Sequence, residues 1–460
     1  MFYFLPAMIV IYFFAPNRLK NFVMIIASFV FYAWGEVRFV PIMLLLSVVD
    51  FVCAKFMERH RDHEEKRRIY MLIAICSNLG VLIYFKYTNF LMSNLYGLFG
   101  MESPFLQIIL PIGVSFNSFQ SISYAIDVYR GTTSCEKKYY NYLAYTTLFP
   151  QIIAGPIVRY VTVENDLDDH KLTMDTFSTG IRRFILGLGK KVLIANNVGL
   201  LWSRISEGAA GEASVLLYWI GIAAYTFQIY FDFSGYSDMA IGLARIFGLS
   251  FDENFNYPYI SQSITEFWRR WHITLGAWFR DYVYIPLGGN KGSKLRHLRN
   301  LMIVWALTGF WHGSSWNFIL WGLYFAVILI TEKTFLLKLL HKLPEVFRHI
   351  YTLLLVMIGW VIFYFENLRT GLSYLKGMFG LGNMPFYNSQ ALYYLISYSI
   401  LFALAAYFST PHFKRVLDSA ENITKGGVSV FASFAYVFTF LGSVAYLVDS
   451  TYNPFLYFRF

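Results

Sequence analysis

The sequence predicts an all-α, polytopic membrane helix bundle with no separate soluble domain. Three observations carry that prediction. Hydrophobic residues make up 57% of the 460 residues and charged residues only 14%, where a soluble domain carries roughly 25% charged residues. Apolar runs long enough for a spanning helix of ~20 residues recur along the whole chain. The Lys and Arg residues, which give a net charge of +10, collect in short segments between those runs. That is the positive-inside pattern of a membrane protein rather than the basic face of a nucleic-acid binder. Mean hydropathy is +0.47. No hydrophilic stretch is long enough for a second domain, so residues 1–460 are expected to form one integral-membrane domain.

The first apolar run, Met1 to Ala15, lacks a basic n-region and a small-residue cleavage site, so it reads as a retained helix and not a signal peptide. It is short for a span, which suits a buried or interfacial helix. Runs at 21–34 and 39–56 follow, separated by Gly35-Glu36-Val37-Arg38, and then the charged block from Glu58 to Arg68. Arg18 and Lys20 lie two crossings before that block and on its side. Basic loops face the cytoplasm, which places the N-terminus outside. The next run, 69–98, exits at Gly100-Met101-Glu102-Ser103-Pro104, which has no Lys or Arg.

Residues 105–130 carry Ser115, Asn117, Ser118, Gln120, Ser121 and Ser123 after a Pro111-Ile112-Gly113 break. Polar, interrupted backbone at membrane depth is tolerated where protein buries it or where it lines a cavity. Leu148 to Tyr160 holds Pro150, Gly155 and Pro156 and cannot be a plain spanning helix; it reads as a re-entrant segment or tight buried turn. Helices are expected at 177–204 and 213–247. In the second, Gln228, Asp232 and Gly235 share one face at i, i+4, i+7. Asp232 and Asp238 suit either a proton pair or ties to neighbouring helices.

A polar-aromatic insert spans 249–297. Trp268, Trp271, Leu275, Trp278 and Tyr282 recur at three- to four-residue spacing, with Glu266, Arg269, Arg270 and Arg280 elsewhere. That pattern predicts one amphipathic helix near the bilayer surface, begun by a capping box at Ser263–Glu266. Gly288 to Lys294 departs from Walker spacing and reads as a basic turn. Further apolar runs lie at 317–335, 350–365, 389–409 and 428–450. Cys53, Cys76 and Cys135 are too far apart for a metal motif or a disulfide framework. There is no internal repeat, which weighs against an inverted-repeat transporter.

The candidate site centres on Thr308-Gly309-Phe310-Trp311-His312-Gly313-Ser314-Ser315-Trp316, flanked by apolar sequence on both sides. An ionisable group there faces a cavity, a partner or a pathway, or else is a satisfied packing residue. Gly309 and Gly313 suit either close approach of a substrate or small-residue helix packing. Trp311 and Trp316 fit the core better than substrate contacts, and Trp311 stays on the roll of candidate binding residues.

Six stretches together resemble the membrane-bound O-acyltransferase family, in its bacterial alginate O-acetyltransferase-type branch. They are Phe149 to Tyr160, Phe231 to Leu243, Glu266 to Leu275, Trp278 to Gly289, Gly309 to Gly313 and Asn453 to Phe460. The resemblance covers nearly the whole chain. It implies about eleven spanning helices plus re-entrant segments around a central pore or funnel. The family's signature histidine falls on His312 and a second one on His272. The implied activity moves an acyl group, in this branch usually acetyl, from a cytoplasmic thioester to a hydroxyl of an extracytoplasmic polysaccharide, often through a partner acyltransferase. Teichoic-acid D-alanylation relatives share the two histidine patterns and use an aminoacyl carrier protein instead. The bacterial cytoplasmic (inner) membrane is the implied location.

That activity fits the residues. An alcohol oxygen attacks a thioester once its proton is removed, and a histidine of ordinary pKa ~6.5 accepts that proton at neutral pH. A thioester is already activated, so the reaction needs no metal and no bound cofactor; acetyl-CoA is the expected donor. His312 is the expected general base, with an acyl-histidine as the alternative. His272 is open between catalysis, donor binding and structure. Arg269, Arg270 and Arg280 suit either coenzyme A phosphates or anionic lipid headgroups. Two readings compete from other classes: a transporter of lipid-linked sugar, depending on Asp232 or Asp238, and a scaffold indifferent to both histidines.

Overall fold

The computed structural model describes residues 3–102, 106, 108–153, 155–208, 213–423 and 430–449. Among them every regular element is helical. Six helices are long and apolar enough to cross a membrane: Asn17–Arg59, Glu64–Leu98, Met174–Gly208, Val215–Ile246, Glu345–Tyr364 and Ala432–Asp449. The pair Ser389–Ser397 and Ser399–Phe408, bent by 52°, makes a seventh if it is one span. A polytopic membrane helix bundle is therefore what the chain builds. The apolar run at 389–409 forms this bent pair.

The 43-residue stretch Asn17–Arg59 would extend ~64 Å as one straight helix at 1.5 Å per residue, about twice a bilayer core. It breaks at Glu36, φ −140°, into Lys20–Glu36 and Val40–Arg59, the two runs read from the sequence. The first helix, Phe4–Phe14, is too short to span; it buries Met8 and Tyr12 and exposes Phe14. The expected count of about eleven exceeds the six or seven helices that qualify by length and composition among the described residues. The motif at Asn453 to Phe460 and residue Ala154 lie outside those residues.

The chain groups into two compact units. The first comprises 1–184 and 240–252. Its core is rich in tyrosine: Tyr124, Tyr142, Tyr145 and Tyr160 are almost fully buried and meet ring to ring at 4.7 to 6.2 Å. The proline-rich stretch is a buried turn, not a helix. Its backbone is met by neighbours, as burial requires. Phe149 donates its N–H to Ser28 Oγ at 3.1 Å, and Tyr145 donates its hydroxyl to the Val158 carbonyl at 3.0 Å. Gly113 sits at φ +78° directly against this turn. A Cβ there would stand 2.0 Å from the Ile152 carbonyl oxygen, so glycine is required for both reasons. The polar helix Val114–Arg130 follows, with Ser115 to Ala125 buried. The two interrupted segments are thus packed on each other.

The second unit comprises 185–239 and 253–460. Here Val215–Ile246, which we call α1, turns its expected face to the helical run from Gly187 to Gly208. A Cβ on Gly187 would meet the Gly235 carbonyl oxygen at 2.6 Å, and one on Gly199 would meet Gln228 at the same distance. Between these contacts Lys191 Nζ lies 2.5 Å from Asp232 Oδ1, and Lys190 pairs with Asp238 at 2.6 Å. Both members of the Lys191–Asp232 pair are buried.

The insert differs from its expectation. One amphipathic helix is replaced by two short ones, α2 (Ile264–Arg270) and α3 (Ile273–Phe279), broken at His272 with φ +46° and ψ 53°. The aromatic stripe does not face a bilayer surface either. Trp271, Leu275, Trp278 and Tyr282 are buried, and the Trp268 ring lies 4.8 Å from Trp305 and 4.9 Å from Phe325. The forward half of the capping box forms, with Glu266 N–H donating to Ser263 Oγ at 3.0 Å; the Glu266 carboxylate accepts from Gln262 N–H, one residue earlier than a box would have it.

Two helices follow in a tight hairpin, α4 (Lys294–His312) and α5 (Trp316–Thr331). Gly309 and Gly322 let their backbones touch. A Cβ on Gly322 would stand 2.2 Å from the Trp305 carbonyl oxygen, and one on Gly309 2.2 Å from that of Phe318. Gly313 is filled by the Phe318 ring. Of the two readings open for Gly309 and Gly313, helix packing is the one the contacts describe. Gly322→Ala is expected to destabilise the protein by about 1–3 kcal/mol through overpacking, read as a lowered unfolding midpoint in detergent; an unchanged midpoint would mean that the hairpin is looser than this.

Candidate active site

His312 is the last residue of α4, and the chain leaves it in an extended conformation at Gly313, φ −168°. Aromatic rings pack on its imidazole, among them Trp311 at 5.0 Å, Trp321 at 5.0 Å and Phe363 at 5.3 Å between centroids. The residue keeps 8% of its accessible surface. The turn after it is pinned by Asn317, fully buried, whose Nδ2 donates to the Phe363 carbonyl at 2.9 Å and whose Oδ1 accepts from Ser315. Asn317 thereby joins the start of α5 to the end of α6 (Glu345–Tyr364) and fixes where α4 delivers His312.

His272 stands at the break between α2 and α3. Its left-handed backbone is uncommon for a residue with a Cβ and marks a place held by its surroundings. Two backbone bonds hold it, Ile273 N–H to the Asn254 carbonyl and Asn256 N–H to the Arg270 carbonyl, both 2.9 Å. The start of α2 is anchored by the buried carboxylate of Glu332, which accepts from Ile264 N–H at 2.8 Å, Thr265 N–H at 2.7 Å and Thr265 Oγ1 at 2.6 Å. The His272 ring packs 4.8 Å from Phe233 and 6.2 Å from Trp311. Burial holds its imidazole well below the ordinary histidine range, at about 3.

The two histidines, 40 residues apart in sequence, therefore border the same indole. Trp311 is 3% exposed, and its ring lies 6.2 Å from the His272 imidazole and 5.0 Å from that of His312. Trp316 differs from expectation: at 53% exposure it is outside the core, because it opens α5 on the face turned away from the hairpin contact.

The remaining candidates are spread. Arg270 is held by Glu266 Oε1 at 2.9 Å and by the Asn256 carbonyl at 3.1 Å, so its guanidinium is engaged within the protein. Arg269 is exposed on α2, and Arg280 is exposed and paired with Asp281 at 2.7 Å. Asp232 is bound to Lys191, the interhelical tie rather than an open binding group.

The sequence reading missed four residues that shape this region: Asn254, Asn317, Glu332 and Lys191. Lys191 alone left a signal, two adjacent lysines inside an otherwise apolar helix. The others are single polar residues whose partners are fixed only by the fold.

The model of the membrane-bound O-acyltransferase family matches residues 138–375, a span that contains both histidines, Trp311, Asn254 and Glu332. The chain belongs to the membrane-bound O-acyltransferase family. It is 36% identical to the probable alginate O-acetylase AlgI of Azotobacter vinelandii over 100% of this chain and 98% of that protein. It is 41% identical to the probable alginate O-acetylase AlgI of Pseudomonas aeruginosa over 83% of this chain and 74% of that one. To the peptidoglycan O-acetyltransferase of Helicobacter pylori it is 32% identical, over 83% and 79%. Within the O-acyltransferase family it falls in the alginate O-acetylase-type branch, and it is an enzyme of that class.

Proposed function

We propose that the protein transfers an acetyl group from acetyl-CoA on the cytoplasmic side to a hydroxyl of an extracytoplasmic polysaccharide, directly or through a partner acyltransferase, with His312 as general base. The observation that carries this reading is the convergence of His312 and His272 on the buried Trp311 ring. Two imidazoles on one indole in a packed, buried cluster suit acyl transfer, where a proton must leave one oxygen while competing hydrolysis is kept out. The relatives named as alginate and peptidoglycan O-acetyltransferases support acetyl as the group and a polysaccharide as the acceptor.

The step balances without a further reactant. His312 takes the proton of the acceptor hydroxyl as its oxygen attacks the thioester carbonyl. The carbon–sulfur bond breaks, and the thiolate leaves with a proton returned by the imidazolium. The products are an O-acetyl ester and a free thiol. Nitrogen at His312 is a base and not a covalent carrier in this scheme. Arg269, exposed at the start of the site region, is the guanidinium left to meet the phosphates of the donor, while Arg270 is committed to Glu266. The protein resides in the cytoplasmic membrane, with the basic block from Glu58 to Arg68 facing the donor side.

The test uses the purified chain in liposomes with acetyl-CoA labelled in the acetyl group. Thiol release in step with label appearing on an added polysaccharide, or on a partner acyltransferase, is the expected result. Thiol release that never occurs with acetyl-CoA, but does with an aminoacyl carrier protein, would replace the donor. Movement of a lipid-linked sugar with no acyl transfer would replace the reaction class.

A further inference from the structure

Asn254 is hydrogen-bonded to the His272 ring at Nδ1. Its Oδ1 lies 2.9 Å from His272 Nδ1, 2.9 Å from Thr274 Oγ1 and 3.4 Å from the Thr274 backbone N. Its Nδ2 donates to Ser237 Oγ at 3.1 Å. The orientation of this amide is decided by chemistry: a backbone N–H only donates, so the atom turned toward Thr274 N is the oxygen. An amide oxygen only accepts, so the hydrogen of that bond sits on His272 Nδ1. The other ring nitrogen, Nε2, is buried with no hydrogen-bond partner among the described residues, in a residue 3% exposed.

We propose that Asn254 is a positioning residue that locks His272 in its Nδ1–H tautomer, so that Nε2 presents a lone pair to the substrate. This rests on the reading of His272 as part of the acyl-transfer site. A buried acceptor with no partner is costly unless something fills it. What fills it must carry an O–H or N–H: a water when the site is at rest, and in this reaction the acceptor's hydroxyl or an amide of the thioester donor. His272 then acts as a neutral hydrogen-bond acceptor that aligns one substrate, while His312 handles the proton. The same asparagine holds the backbone at the break: its carbonyl accepts from Ile273 N–H. It thus sets both the left-handed turn that aims the ring and the proton that decides which ring nitrogen is basic.

The experiment reads the tautomer directly, by 15N magnetic resonance of histidine-labelled full-length protein in lipid, with His272→Gln used to assign the signal. The parent protein is expected to show the proton on Nδ1. Asn254→Asp keeps an acceptor at the same place and is expected to keep that tautomer and most of the activity. Asn254→Leu removes the acceptor and is expected to shift the proton toward Nε2 and slow acyl transfer roughly 10- to 100-fold, the range seen when the partner orienting a functional histidine is lost. A rise in KM confined to the polysaccharide assigns Nε2 to the acceptor; a rise confined to the thioester assigns it to the donor. An Nε2–H signal in the parent, or an unchanged tautomer in a folded Asn254→Leu protein, overturns the lock. A tautomer that shifts while the rates of Asn254→Leu and His272→Gln both stay normal supports the lock and overturns the place of His272 in the reaction.

Discussion

Replacing His312 with glutamine is expected to leave a folded protein that transfers acyl groups ~10²- to 10⁴-fold more slowly, the span attributable to a positioned general base. Glutamine keeps a polar group of similar reach and removes the basic nitrogen. The ring contacts with Trp321 and Phe363 would be lost too, but aromatic pairs of this kind contribute only about 0.5–1.5 kcal/mol each beyond burial, too little to unfold the hairpin that Gly309, Gly322 and Asn317 hold together. A kcat lowered by orders of magnitude, against an unfolding midpoint lowered only by the lost ring contacts, separates the chemical role from packing. A transporter reading expects the reverse, with function following Asp232 or Asp238 and indifferent to His312.

The second large effect concerns stability. Lys191→Met is expected to cost about 3–5 kcal/mol, because it leaves the Asp232 carboxylate buried without its cation. Lys191→Met combined with Asp232→Leu is expected to recover most of that loss, since replacing a whole buried pair by apolar residues is often close to neutral. Unfolding midpoints of the two single variants and the double variant supply the comparison. If the double variant is stable yet inactive, the pair has a role in the reaction beyond tying α1 to the neighbouring helix; if it is stable and active, the tie is its whole function.

The legible part of the fold was the part that composition and period determine. Apolar runs located the spanning helices, and prolines with glycines located the buried turn around Pro150 and Pro156, because these signals act within a few residues of chain. The face of α1 carrying Gln228, Asp232 and Gly235 was readable for the same reason. The break at His272 was hidden. The spacing of Trp268, Trp271, Leu275 and Trp278 runs on through it, and the left-handed position is filled by histidine, where glycine would have been the visible sign. Trp316 shows the same limit, since an aromatic residue next to a tight hairpin gives no sign of which side it will face.

His312 was readable as a candidate because an imidazole in apolar sequence stands out. Its company was not. The meeting of His272 and His312 at Trp311 depends on how the α2–α3 break packs against α4, and Asn254 and Glu332 act through contacts that no local spacing encodes. Chemistry-bearing residues announced themselves one at a time; their assembly is a property of tertiary packing.

The most direct measurement is a rate comparison on one preparation, using labelled acetyl-CoA and acceptor, of the parent protein, His272→Gln, His312→Gln and the double variant, each with its unfolding midpoint. Residues that act as a unit are strongly non-additive. The result expected is a folded His312→Gln protein slowed at least ~100-fold, with the double variant little slower than His312→Gln alone. A folded His312→Gln protein that transfers acetyl at the parent rate would contradict the assignment of the general base.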